Sequence, residues 1–251
     1  MEDIGGVWRT IGGRKVFIKT GQNLADAMRE SGKFKKQNPE SLNTFEKQIE
    51  YIKEHQDELY KIIETSENID KELCLKFQER NQFNAKPAVL NSEEFEKLSS
   101  KDYIKVYRGY HDGRKSADEY IKDFKYSKNS YGTGGTQYGV GHYTITDKES
   151  ALRYGKVIEI AIPRKANIIE YDDLINSHYR NFEKYNDNLE AYYNKYGEKV
   201  TSVLDVINNN ESATAILENY DVVKKDDIYI ILNRGIIKVK EWLKCLKILN
   251  C

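Results

Sequence analysis

Cysteine is scarce: Cys74, Cys245 and Cys251 are widely spaced, with no CxxC pair and no neighbouring histidine pair. That excludes a disulfide framework and a zinc site, and it fits free thiols in a reducing compartment. No apolar run approaches the eighteen or so residues of a membrane span, and the N-terminus has no signal-peptide core. A soluble, intracellular protein with no membrane partner is expected. A charge excess is also missing: 40 basic residues balance 40 acidic ones, so no global field points to nucleic acid or an anionic membrane. Gly132, Gly134 and Gly135 are not followed by Lys-Ser or Lys-Thr, which removes a P-loop.

What the chain does have is tyrosine. A mean hydropathy of −0.75 and 32% charged residues describe a wet surface. The 19 tyrosines and 8 phenylalanines nevertheless supply large amphipathic groups to bury, so the 251 residues are not read as disordered. One domain with a helical extension is the natural size.

The N-terminal 7–11 and 14–19 segments flank Gly12-Gly13 and predict a β-hairpin, too small to fold alone. Apolar residues at Phe45, Ile49, Ile52, Leu59, Ile62 and Ile63, then Leu73, Leu75 and Phe77, predict two helices broken near Ser66-Glu67-Asn68. His55 falls on their polar side and is not expected to act in catalysis. Asn84-Ala85-Lys86-Pro87 marks a seam, dividing an N-terminal region (1–86) from a second region (87–251). Asn91 or Ser92 caps a short helix, and a short strand from Tyr103 leads into Arg108. A turn at 111–114, a helix at 116–124 and a Gly-rich loop at 127–137 are expected next. Val157 to Pro163 is a strand that proline stops, and Ala166 to Glu170 sits beside it. A helical run from Tyr171 to Tyr196 carries an aromatic stripe, read as a packing face. Gly197 ends it, and a helix at 213–219 and a strand at 220–223 come next. Ile228–Leu232 and Ile236–Val239 are expected to form a β pair around Asn233-Arg234-Gly235, before an amphipathic end at 241–249.

The chemistry concentrates between Tyr103 and Lys156. Arginine's planar fork suits a pyrophosphate or ribose hydroxyls, and Gly109 beside it leaves room for a ligand. Gly139-x-Gly141-x-Tyr143 lets backbone approach a ligand before a strand that presents an aromatic ring. Asp147 caps one or two helical turns ending at Tyr154, so Tyr143 and Tyr154 face each other across a slot suited to a flat cation. His142 is read as a packed strand residue, as are the alternatives for Tyr107 and Thr144.

Tyr138-Gly139-Val140-Gly141-His142-Tyr143, followed by Ser150-Ala151 and Tyr154, resembles the diphtheria-toxin and poly(ADP-ribose) polymerase block of the ADP-ribosyltransferase superfamily. Arg108-Gly109 resembles instead the arginine that opens the cholera-toxin and C3 branch. The resemblance spans roughly residues 88 to 239. It implies an α+β fold with a split two-sheet mixed core around a cleft for NAD, the substrate. It implies that Tyr107, Arg108, Gly109, Gly139, Gly141, Tyr143 and Tyr154 bind NAD, with the two late tyrosines sandwiching nicotinamide. A carboxylate is also required at the start of a late strand. Ile228 occupies that position; Asp227 is one register away, and Asp226 and Glu218 are alternatives. Catalysis is thereby expected from Arg108, Tyr143 and Asp227. The implied activity is mono-ADP-ribosyl transfer to a macromolecular acceptor, protein or nucleic acid. An NAD glycohydrolase and a non-catalytic virion or host-binding module are the alternatives. Trp8 to Ile18, with the 21–34 stretch behind it, resembles a segment of phage head-morphogenesis and minor head proteins, which implies a phage origin and a host-cytoplasmic or virion location.

Overall fold

In the computed structural model, residues 44–81, 83, 85–110 and 137–241 are described, together with the backbone of 6–11 and 14–19. The expected segments at 21–34, 111–114, 116–124 and 127–136 lie outside these residues, as does the C-terminal amphipathic run beyond Glu241. Strands β1 (Gly6–Ile11) and β2 (Arg14–Lys19) pair antiparallel down to Ile11↔Arg14, the hairpin anticipated from Gly12-Gly13.

The remaining strands form one eight-stranded mixed sheet. They are β3 (Ala88–Leu90), β4 (Tyr103–Tyr110), β5 (His142–Ile145), β6 (Lys156–Pro163), β7 (Ile168–Glu170), β8 (Val222–Lys225), β9 (Ile228–Ile231) and β10 (Lys238–Lys240). Their spatial order is β3-β10-β6-β4-β5-β9-β8-β7. The expected α+β class holds, but the expected split into two sheets is corrected: the strands of the core run through one continuous sheet, because β4 and β5 join its two halves. β4 follows β6 from Tyr103↔Pro163 to Tyr110↔Lys156, and β5 follows β9 from His142↔Ile231 to Ile145↔Ile228. Across the middle, β4 and β5 meet at a single pair, Tyr107↔Ile145.

Alternation sorts the side chains into two layers. One apolar cluster takes Val106, Ile158, Ile160 and Val239 from the first half and Val222, Tyr229 and Ile231 from the second. On the opposite face of the second half, Val223, Ile230 and Leu232 join a helical layer. That layer comprises α1 (Thr44–Thr65), α2 (Ile69–Arg80), α5 (Tyr171–Asp187), α6 (Leu189–Tyr196), α7 (Glu198–Asn208) and α8 (Glu211–Leu217). The short α3 (Ser92–Glu96) and α4 (Lys148–Leu152) belong to the first half's strands. Phe45, Ile52, Leu59 and Phe77, before position 87, share a core with Leu204, Ile216 and Ile230 after it.

Three expectations are corrected. The helical run to Tyr196 breaks at Asn188, whose φ of −121° ends α5 and opens α6. β9 and β10 do not pair: a 3-10 turn at Arg234–Ile236 carries the chain from the second half to the first, where β10 lies between β3 and β6. Asn233 directs that turn, accepting from the Gly235 N–H at 3.0 Å and donating to Asp221 at 2.7 Å. Finally, α7 was not anticipated, although Val200, Val203, Leu204 and Ile207 are all buried at helical spacing.

Helix starts follow local chemistry. Asn91 and Glu94 form a reciprocal capping box, and Asp147 accepts from the Ser150 N–H at 2.7 Å. Asn210 does more: its Oδ1 accepts from Ala213 N–H at 3.0 Å and from the Cys74 thiol at 3.7 Å, and its Nδ2 donates to the Asp70 carbonyl at 3.3 Å. One buried amide thus ties α8 to α2, and burial pushes the Cys74 thiol up to about 12. Asn210→Ala removes a cap and strands buried groups; denaturant titration is expected to show a loss of about 2–3 kcal/mol.

On the first half's outer face, Glu96 accepts from Lys105 at 2.8 Å and Lys240 at 2.7 Å, joining α3 to β4 and β10. Those hydrogen bonds lower the Glu96 carboxyl from 4.5 to about 2. Since its folded value is depressed, its stabilisation is present above the ordinary value and is lost as pH falls toward 2. Solvent screening keeps it near 0.5 kcal/mol. Glu96→Gln should therefore lower stability by roughly that amount at pH 7, with the difference shrinking in high salt and vanishing near pH 2.

Candidate functional site

The sequence-predicted residues gather at the β4–β5 seam, but not on one face of the sheet. Tyr107 and its partner Ile145 share a face, and Tyr143, two residues from Ile145, shares it too. Tyr143 packs there against the helical layer. Tyr154 follows α4, which lies over β4 on this same side: a Cβ on Gly109 would meet the Ala151 carbonyl oxygen at 2.1 Å and Tyr154 Cβ at 2.7 Å. Tyr154 is 69% exposed. The two tyrosines therefore stand on opposite banks of the seam, one carried by each half-sheet. Lys148, whose Nζ lies 5.7 Å from the Tyr107 ring centroid and 3.1 Å from Glu159, completes the near bank.

Arg108 occupies the other face, with Val106 and Tyr110 as its neighbours in alternation. It is 6% exposed, and its Nη1 donates to the Tyr143 backbone carbonyl at 3.0 Å. His142 is buried on that face. Burial first, then the charges of Arg108 and Arg234, hold its imidazole well below the usual range, so it is neutral at pH 7. Its role as a packed strand residue agrees with the sequence reading.

The Tyr143 hydroxyl is held locally. It donates to the Gly139 carbonyl at 2.6 Å and accepts from the Tyr138 N–H at 3.0 Å, which closes the 138–143 turn on itself. Burial raises its phenol above the ordinary value. The glycines serve packing as well as access. Gly139 has φ +87°, and a Cβ there would meet Ser212 Oγ at 2.3 Å; one on Gly141 would meet Ile230 Cγ2 at 2.4 Å. The turn is thus seated on the start of α8 and against β9.

The carboxylates fall differently from expectation. Asp226 and Asp227 form the exposed two-residue turn between Lys225 and Ile228, with Asp226 at φ +54°. Asp227 uses its carbonyl to accept from the Thr146 N–H at 3.0 Å. It stands three residues from Ile230, the partner of Tyr143, or about 10 Å along the strand. Ile228, which shares the Tyr143 face, carries no charge. Glu218 bonds Ser177 at 2.6 Å at the far end of α8. Sequence reasoning missed Glu211, a half-buried carboxyl raised by burial, whose charge is felt by the Tyr143 and Tyr171 phenols. The signal available was Asn210 as a helix cap with Glu211 immediately inside it. Among the described residues, no three His, Cys, Asp or Glu side chains gather as a metal site. A hollow of about 390 Å³ lined by Glu46, Ile49, Lys53 and Tyr196 shares no residue with the seam.

Comparison with protein-family models, with curated proteins and with solved structures returned no match. What the site can do therefore rests on its own geometry.

That geometry separates two kinds of residue. Gly109→Ala places a methyl against the α4 backbone and is expected to cost about 1–3 kcal/mol in a thermal melt. Tyr143→Phe, which removes both hydroxyl bonds, should cost about 1–2 kcal/mol, whereas Tyr154→Ala, at an exposed position, should leave stability within about 0.5 kcal/mol.

Proposed function

We propose that this chain is a mono-ADP-ribosyltransferase that cleaves NAD and transfers ADP-ribose to a macromolecular acceptor, protein or nucleic acid. The observation that supports the reading is the placement of Tyr143 and Tyr154 on the same face of the sheet, on either side of a seam joined at a single residue pair. A flat pyridinium entering between them gains ring stacking of roughly 0.5–1.5 kcal/mol and a cation–π term that grows as water leaves.

The chemistry follows from that placement. The bond between the nicotinamide nitrogen and ribose C1′ breaks, and its electron pair returns to the pyridine ring, which leaves neutral. The oxocarbenium-like sugar is captured by a nucleophilic oxygen or nitrogen of the acceptor, which then loses a proton. Holding the ring in place and stabilising the developing cation are the protein's tasks. A carboxylate on the ribose side serves the second. Glu211, at the start of α8, adds a negative charge that the Tyr143 phenol feels, and Asp227 sits at the β9 turn; substitution separates them. Phage origin and a host acceptor rest on the likeness of residues 8–34 alone.

Incubation with NAD labelled in the adenylate half tests the proposal. The wild-type protein is expected to release nicotinamide and to label a macromolecule in host extract. Tyr154→Ala should lower kcat/KM at least about tenfold with an unchanged melting temperature. Of Glu211→Gln and Asp227→Asn, the variant that removes the acting carboxylate should lose on the order of 10²–10⁴ in rate. Free ADP-ribose without labelled macromolecule would replace transfer by hydrolysis. No NAD consumption and no NAD-dependent thermal shift would leave only a non-catalytic binding module.

A further inference from the structure

In an unbroken antiparallel ladder, the register set by Tyr107↔Ile145 would continue to place Tyr143 opposite Gly109. Instead, β4 and β5 part after that one pair. The Tyr143 carbonyl, which the ladder would have satisfied from a backbone N–H, takes its hydrogen bond from Arg108 Nη1 at 3.0 Å. A guanidinium thus substitutes for the missing rung. The guanidinium reaches across the seam on one face of the sheet, while Tyr143 and Tyr154 lie on the opposite face.

The consequence for the slot is geometric. Tyr154 is tied to the first half-sheet through Gly109, against which its Cβ and the Ala151 carbonyl close-pack. Tyr143 is tied to the second through β9, at Tyr143↔Ile230. Arg108 belongs to the first half and grips Tyr143 on the second. We infer that Arg108 is a positioning residue that sets the spacing between Tyr143 and Tyr154 by bridging the seam, and that it does not act by gripping the ribose or diphosphate of the dinucleotide. This functional consequence rests on the reading of the slot as a nicotinamide site; the bridge itself does not.

Two measurements on the full chain separate the cases. Hydrogen–deuterium exchange compares wild type with Arg108→Lys, which keeps the charge but loses the fork, and with Arg108→Gln, which keeps a donor but loses the charge. With Arg108→Gln, whose shorter amide does not reach the Tyr143 carbonyl, exchange across 137–145 should rise at least about tenfold, while the long β4–β6 ladder stays protected; Arg108→Lys, a donor of nearly the same reach, should recover part of that protection. Unchanged exchange across 137–145 in both variants would overturn the proposal. So would uniform loss of protection in both, because Arg108 would then support the whole core and not the seam. The second measurement is affinity for free nicotinamide, which has neither ribose nor phosphate, beside affinity for NAD and ADP-ribose. A spacing role predicts that Arg108→Gln weakens nicotinamide and NAD by a similar factor, about tenfold. Weakened NAD and ADP-ribose with unaltered nicotinamide would make Arg108 a polar anchor and refute the spacing role. If exchange rises as expected but wild type binds neither nicotinamide nor NAD, the nicotinamide-site reading fails while the bridge stands.

Discussion

A single paired rung between β4 and β5 is the constraint on which the rest of this structure depends. Each half-sheet is well knit, one through the eight-residue β4–β6 ladder and the other through β5, β9 and β8. Between them stand Tyr107↔Ile145, the Arg108 side-chain bond to Tyr143, and the apolar cluster to which both halves contribute. A ladder bond is short-ranged and directional, whereas apolar burial is neither. Apolar side chains therefore hold the halves together, and two directional contacts hold their relative setting at the seam.

The helical layer gives the second half-sheet rigidity that the seam itself does not have. α8 is buried along almost its whole length, and Asn210 fixes its start to α2. The Gly139 turn rests on that start through Ser212, and the Tyr143 hydroxyl closes the same turn. A tyrosine on a four-residue strand is in this way braced by helices far away in sequence. The opposite bank is built more simply: a two-turn connection capped by Asp147 ends on an exposed ring. Tyr143 is thus held by more contacts than the exposed Tyr154.

The parts of this arrangement legible in the sequence were those set by nearest neighbours. The strand from His142 to Ile145, the cap at Asp147 and the helix leading to Tyr154 each follow from residues within a few positions, and all three lie where the pattern put them. The two buried helices at 44–80 followed from apolar spacing. α7 carries the same helical spacing from Val200 to Ile207. Strand neighbours were not legible, because pairing depends on contacts distant in sequence. Thus Ile228–Ile231 and Lys238–Lys240 look like a hairpin and end in different halves of the sheet. The Arg108 side chain's face was hidden for the same reason: alternation separates it from Tyr107, but only the partner strand reveals that Tyr143 shares the Tyr107 side. The charge of Glu211 felt by Tyr143 was not legible either, because it comes from a helix some seventy residues further along the chain.

The position of β10 bears on how the molecule is made. It fills the gap between β3 and β6, so strands separated by most of the described chain become immediate neighbours only when the last of them has been synthesised. Non-local pairing of this kind is slow to form. On a translating ribosome, β6 would emerge with one flank covered by β4 and the other bare for the time needed to add some seventy-five residues, a few to some fifteen seconds at ordinary elongation rates. Until then its free edge can accept a strand from another nascent chain, so completion of this sheet is a race between the chain's own tail and its neighbours.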